Sequence, residues 1–331
     1  MKISKLRGLA VSAALFTSAS ASASITMEWV NVGNPGNAQD LANVIGSVAY
    51  AYQIGKYEVT NNQYTAFLNA VDPTGTNPNG IYNASMGSDA RGGITYTAGA
   101  ADGFKYTTRT NMGNKPVNFV SWYDAARFTN WLGNGQGNGS TETGAYTLSG
   151  NTGLMTINAG ATVWLPSADE WYKAAYYDPT KDGIGGYWTY ATQSDTAPTV
   201  ATAGSTGDIT NPGPNVANYN NGGDWNSLNG NVTTVGSASA MNYYGTADQA
   251  GNVWEWTNAI ISSSRGIRGG SYSDTQFNLL NSGANLPTTE NRALGFRVAS
   301  VSAIPEPSTY GLILGGLALA GAALRRRKLA Q

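Results

Sequence analysis

Cysteine and histidine are absent from all 331 residues. Without cysteine no disulfide can brace the fold, so packing or bound ions must hold its loops. Zinc, copper and haem sites draw on thiolate or imidazole, and nucleophilic triads need a histidine base. Those chemistries are excluded, and the ligands that remain are oxygens, which favour calcium. Charge is scarce as well, at 12% of residues against a usual share of about 25%. Seven of the 19 basic residues (Lys2, Lys5, Arg7, Arg325, Arg326, Arg327 and Lys328) sit at the chain ends, leaving 12 to face 20 acids. An acidic interior with no Lys/Arg block offers nucleic acid no electrostatic footprint. What replaces charge is a neutral polar surface rich in Asn, Ser, Thr and Tyr, with 42 glycines.

Neither end reads as part of a fold. Three cations, an apolar run from Leu9 to Phe16 and small residues with Ala-x-Ala sites at Ala19–Ala21 and Ala21–Ala23 have the layout of a secretory signal peptide over 1–23. Its apolar core is too short for a stable span, which takes roughly 20 residues, and signal peptidase is expected to cut near Ala23. At the other end, Pro305-Glu306-Pro307 leads into an apolar stretch over 310–324 closed by Arg325 to Lys328. Cations after such a stretch stay cytoplasmic by the positive-inside rule. The order of these parts over 303–331 resembles the PEP-CTERM sorting signal. That resemblance implies an exosortase-type processing enzyme, transient or permanent membrane attachment through 310–324, and a bacterium with an outer membrane. The folded part, 24–302, is then exported to the cell envelope, outer surface or extracellular matrix.

Three helices carry the same start signal. Thr60 with Gln63, Ser121 with Asp124 and Ser167 with Glu170 are capping boxes. The first is followed by Tyr64, Phe67, Leu68 and Val71 at the spacing of one buried face, the second by Ala125, Phe128, Trp131 and Leu132, the third by Trp171, Ala174 and Ala175. Strands are expected over Ala49–Ile54, Ala161–Leu165, Gly266–Tyr272 and Leu294–Ser300. The stretch from Ala201 to Ser237 has almost no apolar periodicity, and a loop so long needs something to order it. Gly133 to Gly139 follows a helix and lacks dinucleotide spacing, so it reads as a flexible connector.

The order of motifs resembles the formylglycine-generating-enzyme, or sulfatase-modifying-factor, family over nearly the whole of 24–302. The segments that carry it are Gly55–Asn61 with Gln63-Tyr64, Pro116–Asn118 with Val120–Trp122, Leu165–Ser167 with Glu170-Trp171, Gly251–Trp256, Arg268–Tyr272 and Leu294–Val298. The resemblance implies an α+β, C-type-lectin-like fold with little regular secondary structure and long Gly/Asn-rich loops. It also implies calcium. Carried over, the family's ligands fall on the side chains of Asp248 and Glu255 and the carbonyls of Gly251 and Val253. Two carboxylates seven residues apart with glycine between them also make chemical sense as an oxygen cage; the alternative is a turn in which Glu255 meets Arg268 or Arg297. A second, weaker site would use Asn218, the carbonyl of Tyr219 and residues around Asp224.

The departure from the family follows Tyr272. Catalytic members bind copper through two cysteines, and those positions match Asp274 and Leu279 here. Neither replaces a soft thiolate, and the histidines with which related sulfoxide synthases hold iron are missing too, so no copper, zinc, iron or haem is expected. Three readings remain. The first is a non-catalytic binding module, a pseudoenzyme whose groove contacts an extracellular polysaccharide or peptide through Asp274, Arg292, Arg297 and nearby aromatics. The second is a structural or adhesive matrix protein. The third is a hydrolase pairing two of Glu58, Asp124, Glu170, Asp274 and Glu290.

Overall fold

The computed structural model describes residues 24–148 and 153–301; the segments read as signal peptide (1–23) and sorting tail (303–331) lie outside the described residues. Among the described residues no helix is long and apolar enough to cross a membrane. The chain runs β1 (Trp29–Val32), β2 (Tyr52–Gly55), α1 (Asn61–Val71), a single turn α2 (Ser85–Ser88), β3 (Ile94–Tyr96), β4 (Tyr106–Thr108), α3 (Trp122–Gly133), β5 (Val163–Trp164) and α4 (Ala168–Tyr176). It continues through β6 (Tyr177–Asp178), a 3-10 turn (Lys181–Gly183), β7 (Gly186–Tyr187), β8 (Thr199–Val200), β9 (Val216–Ala217), β10 (Trp254–Ile261), β11 (Ser264–Arg268), β12 (Ser282–Asn285), β13 (Leu294–Phe296) and β14 (Ala299–Val301). One four-stranded sheet has the order β1-β2-β14-β5, and a second the order β12-β11-β10-β13. The second is antiparallel except where β13 runs parallel to β10.

All three capping boxes form. The side chains of Thr60, Ser121 and Ser167 accept from the backbone of Gln63, Asp124 and Glu170, whose side chains answer the cap backbone. Each cap fixes where its helix starts, and therefore which face turns inward. The stripes of α1 and α3 meet over β13. Tyr64 stacks on Phe128 with centroids 6.1 Å apart, Phe128 meets Phe296 edge-on at 5.3 Å, and Phe67 packs on Trp131 at 5.4 Å. Helix α4 sends Trp171 into a separate cluster with Tyr172, Tyr176, Ala250 and Leu279.

The expected strands form, with shifted ends, and the Leu294–Ser300 stretch divides. Phe296 ends β13 in the second sheet and Ala299 begins β14 in the first, so Arg297 and Val298 cross between sheets. The longest strand, β10, was not foreseen as one, because its first residues read as the end of an oxygen cage. The 201–237 loop is ordered by protein hydrogen bonds. Asn220 and Asn221, both left-handed, donate their N–H groups to the carbonyls of Asp274 and Tyr272 at 2.7 Å. Arg91 reaches the carbonyls of Gly230 and Asn229 at 2.9 Å. In the Gly133–Gly139 connector, Gln136 takes the N–H of Ile25 at 2.7 Å and donates to its carbonyl at 3.0 Å, tying down the start of the domain.

The α3 cap makes a pH prediction. Burial pushes the Asp124 carboxyl up to about 7, against the lowering effect of the bonds from Ser121. Between the ordinary carboxylate range near 4 and about 7, the folded protein holds a proton the unfolded chain would release. Stability therefore falls as pH rises through that window and levels off above it. The melting temperature should drop by several degrees from pH 5 to pH 8, and Asp124→Asn should flatten the profile there.

Candidate functional site

The Gly251–Trp256 motif is clipped into the centre of the molecule from both sides. Gly251 donates to the carbonyl of Gly269 at 2.8 Å, Asn252 donates to Asn218 at 2.8 Å, and Tyr272 donates to Asn252 at 2.9 Å. Gly251 has φ +88°, and a Cβ there would lie 2.1 Å from the Asn218 carbonyl oxygen, so no other residue fits without moving the 218 loop. Through these contacts Gly251 brings the two expected calcium regions side by side.

Glu255, the last expected ligand of the first region, is fully buried and bound to arginine. Arg297 Nε and Nη2 each approach a Glu255 carboxylate oxygen at 2.6 Å, and Trp171 Nε1 donates to Oε2 at 2.6 Å. The other Arg297 bonds go to the carbonyls of Gly55, Lys56 and Ala247. Arg297 is 0% exposed. This corrects its placement as a groove residue: its guanidinium is spent inside the protein, and the alternative in which Glu255 meets Arg297 is the arrangement seen.

Two further carboxylates face the same guanidinium. Asp248 takes the N–H of Gly236 at 2.5 Å, and desolvation with the Glu255 charge pushes it up to about 6. Glu58 is 1% exposed, and neither of its oxygens has a hydrogen-bond partner. Burial first, then the charges of Asp248 and Glu255, drive its carboxyl well above the ordinary range. Burial alone would lower the Arg297 pKa, yet Glu255, Glu58 and Asp248 together raise it. Three carboxyls thus share one guanidinium, the raised values of Glu58 and Asp248 favour their protonated forms, and among the described residues no group of three or more acids is placed to hold a metal ion. Sequence reasoning placed Glu58 among hydrolytic acids; its neighbours here became visible only when the sheets packed.

In the second region Asn218 is buried and its Oδ1 has no partner, while its Nδ2 donates to Asn231 and Thr233. The Tyr219 carbonyl takes the N–H of Gly222 in a turn. Asp224 is exposed, and its Oδ1 takes the N–H of Gly230 at 2.6 Å. Its carboxylate is thus used to close the loop on itself. The residue brought against Asn218 is Asn231, fully buried and just beyond the stretch where ligands were sought.

Asp274 and Leu279, the positions the resemblance matches to the family's cysteines, are both engaged within the protein. Asp274 takes bonds from Trp254 Nε1 at 2.8 Å, Ser271 Oγ at 2.5 Å and Asn278 Nδ2 at 3.1 Å. Leu279 is 1% exposed in the Trp171 cluster. Arg292 is exposed, as a groove residue must be, and its carbonyl is held by Asn118, which also holds that of Arg91. Beside them the Arg91 guanidinium lies 5.4 Å from the Tyr272 ring, whose buried hydroxyl has no partner. No motif pointed to Arg91; only the fold carries it there. Of the proposed hydrolytic acids, Glu58, Asp124 and Glu170 are buried and Glu170 is bonded to Trp164 and Tyr50; Asp124 and Glu290 do come near enough for the Glu290 charge to raise Asp124, but Asp124 is bonded to its helix cap and Glu290 to Asn83.

The α+β architecture and these motifs define a class, and comparison with known proteins agrees. Residues 31–301 match the sulfatase-modifying factor enzyme 1-like domain, and residues 303–328 match the PEP-CTERM protein-sorting motif. The chain belongs to the sulfatase-modifying-factor family. The sorting motif makes it an exported, cell-surface protein that passes through exosortase-type machinery. Among solved structures it is similar to Treponema denticola variable protein 1, with a TM-score of 0.51 and 18% identity over 85% of this chain and 97% of that one. It is also similar to CarF, with a TM-score of 0.50 and 23% identity over 84% and 99%. At those identities the likeness speaks to fold alone. A search of curated proteins finds no match.

Removing one partner of a buried ion pair typically costs about 3–5 kcal/mol. Arg297→Met should therefore lower stability by about that much, read as a shift in the urea midpoint, while Arg292→Met at the surface should leave it unchanged within about 0.5 kcal/mol.

Proposed function

We propose that this chain is a surface-tethered binding module that has kept the family scaffold without its oxidative chemistry. The observation that carries this reading is the fate of the two cysteine positions. One holds a carboxylate engaged by Trp254, Ser271 and Asn278, and the other a leucine packed in a core. Neither can hold copper(I). Beside them Arg292 is exposed and its guanidinium is placed to meet a ligand, while Arg91 and the buried Tyr272 build the wall behind it. The ligand class is extracellular glycan or peptide, met on the outside of a bacterium with an outer membrane.

A calcium ion braces the centre of this module, with the side chain of Asp248 and the carbonyls of Gly251 and Val253 as ligands. Support comes from the unpartnered carboxyl oxygens of Glu58 and from the orphaned Oδ1 of Asn218 in the neighbouring loop, oxygens that a bound cation would satisfy. Calcium takes oxygen ligands of this kind, and an ion that binds only the folded form adds RT ln(1 + [L]/Kd) to stability.

Incubation with copper, oxygen and a sulfatase-derived cysteine peptide should yield no aldehyde by mass spectrometry, and its formation would overturn the reading. On glycan and peptide arrays the protein should retain a ligand; an array blank in the presence of calcium would assign it a purely structural role. Excess chelator should lower the melting temperature, with calcium restoring it. An unchanged melting temperature with metal content confirmed as zero would remove the calcium brace.

A further inference from the structure

Three hollows run together along one side of the domain. The first, about 370 Å³, lies between Tyr57, Asn62, Asn114 and Thr234; the second, about 310 Å³, shares Asn62, Asn114 and Thr234 with it; the third, about 520 Å³, shares Asn111 with the second. None of them is lined by Asp274, Leu279 or Arg292, so this trough is separate from the position of the lost cysteines.

Its lining is polar, and its charged groups are engaged apart from Glu58, which borders the first hollow with unpartnered oxygens but is only 1% exposed. Lys115 is 2% exposed and donates to the Thr206 carbonyl and Thr234 Oγ1 at 2.8 and 2.9 Å. Asp208 takes the Thr206 hydroxyl at 2.8 Å. Arg109 is bonded to the carbonyls of Asp89 and Gly92, and Glu28 faces Lys56 at 3.5 Å. What the trough offers a ligand is therefore amide and hydroxyl. At the junction of the first two hollows Asn62 Nδ2 donates to Asn114 Oδ1 at 3.0 Å. That bond leaves Asn62 Oδ1 as an acceptor beside Asn114 Nδ2 as a donor, both on exposed residues. A neighbouring acceptor and donor match two adjacent hydroxyls on one ring. Tyr57, half-buried at the first hollow with Lys56 Nζ 5.0 Å from its ring centroid, adds an aromatic group to the wall. An anionic ligand would meet Lys115 and Arg109 already bound to protein oxygens, the Glu58 carboxyl is buried away from a cationic one, and a peptide would find few apolar pockets for its side chains.

The trough also opens at a useful place. Strand β14 pairs antiparallel with β2, Ala299 with Ile54 and Val301 with Tyr52, so the chain leaves the sheet at the Tyr52 end. Tyr57 follows the Gly55 end of β2. Val301, the last described residue, thus lies toward the end of β2 away from Tyr57 and the first hollow.

We infer that this trough binds an uncharged oligosaccharide long enough to bridge at least two hollows, with Asn62 and Asn114 as the central hydroxyl contacts. The inference rests on reading the domain as a binding module, and adds to it a second site and a ligand class. The test is calorimetry on the full-length protein in mild detergent with neutral homo-oligosaccharides of glucose, mannose and galactose, from monosaccharide to hexasaccharide. At least one series should bind more tightly with chain length, with affinity indifferent to salt up to about 0.5 M. The double variant N62A/N114A should keep its melting temperature and lose at least about tenfold in affinity, the equivalent of about one good hydrogen bond. Binding unaffected by N62A/N114A but lost in Arg292→Ala would overturn the trough and leave the binding module standing. Binding only to charged glycans or peptides would overturn the ligand class. No binding by any saccharide or peptide would overturn both.

Discussion

The buried pair of Glu255 and Arg297 is the contact on which the rest of the molecule is assembled. Removing two ions from water costs several kcal/mol each even after relaxation, and their attraction offsets this only when every remaining donor and lone pair is used. Here the guanidinium fork meets the carboxylate side-on and spends its other donors on the carbonyls of Gly55, Lys56 and Ala247, while Trp171 completes the carboxylate. One side-chain pair therefore joins the end of β2, the turn before Gly251, strand β10, helix α4 and the crossover from β13 to β14. Regular secondary structure is sparse and no disulfide exists, so a directional contact of this kind does what longer strands do elsewhere. It holds distant segments in one register.

The same centre explains why some features were legible in sequence and others were not. The three helices were, because a capping box and a stripe are local signals: Ser121 and Asp124 meet whatever the rest of the chain does. Arg297 was legible only in part: the sequence offered it, beside Arg268, as a partner for Glu255 and also as a groove residue, and only the pairing of β10 with β13 decides between them. The Trp254–Ile261 strand was hidden for a related reason, since its first residues belong both to a turn and to a ladder. Asp224 shows the limit of carrying a ligand across a loop of altered length. The carboxylate exists, but a local bond to Gly230 uses it, and the buried partner of Asn218 is Asn231 instead.

The turn around Asp274 is held by packing and hydrogen bonds. Asp274 takes bonds from Trp254 and Ser271, and Leu279 joins a core built with Trp171 and Tyr176. The left-handed Asn220 and Asn221 bind the backbone of Tyr272 and Asp274, so this turn also orders the long loop.

The scarcity of charge takes its meaning from this economy. A surface made of amides and hydroxyls gains little from electrostatic steering, whose reach at physiological salt is about 8 Å, and binds instead by many short contacts, each worth about 1 kcal/mol. Such contacts add up only when they are presented together on a rigid wall. In this domain the rigidity comes from the inside, from the buried Glu255–Arg297 pair and three capped helices. Even on the Asn- and Thr-lined face Lys115 and Arg109 are spent on protein oxygens, so charge is used mainly to fix geometry.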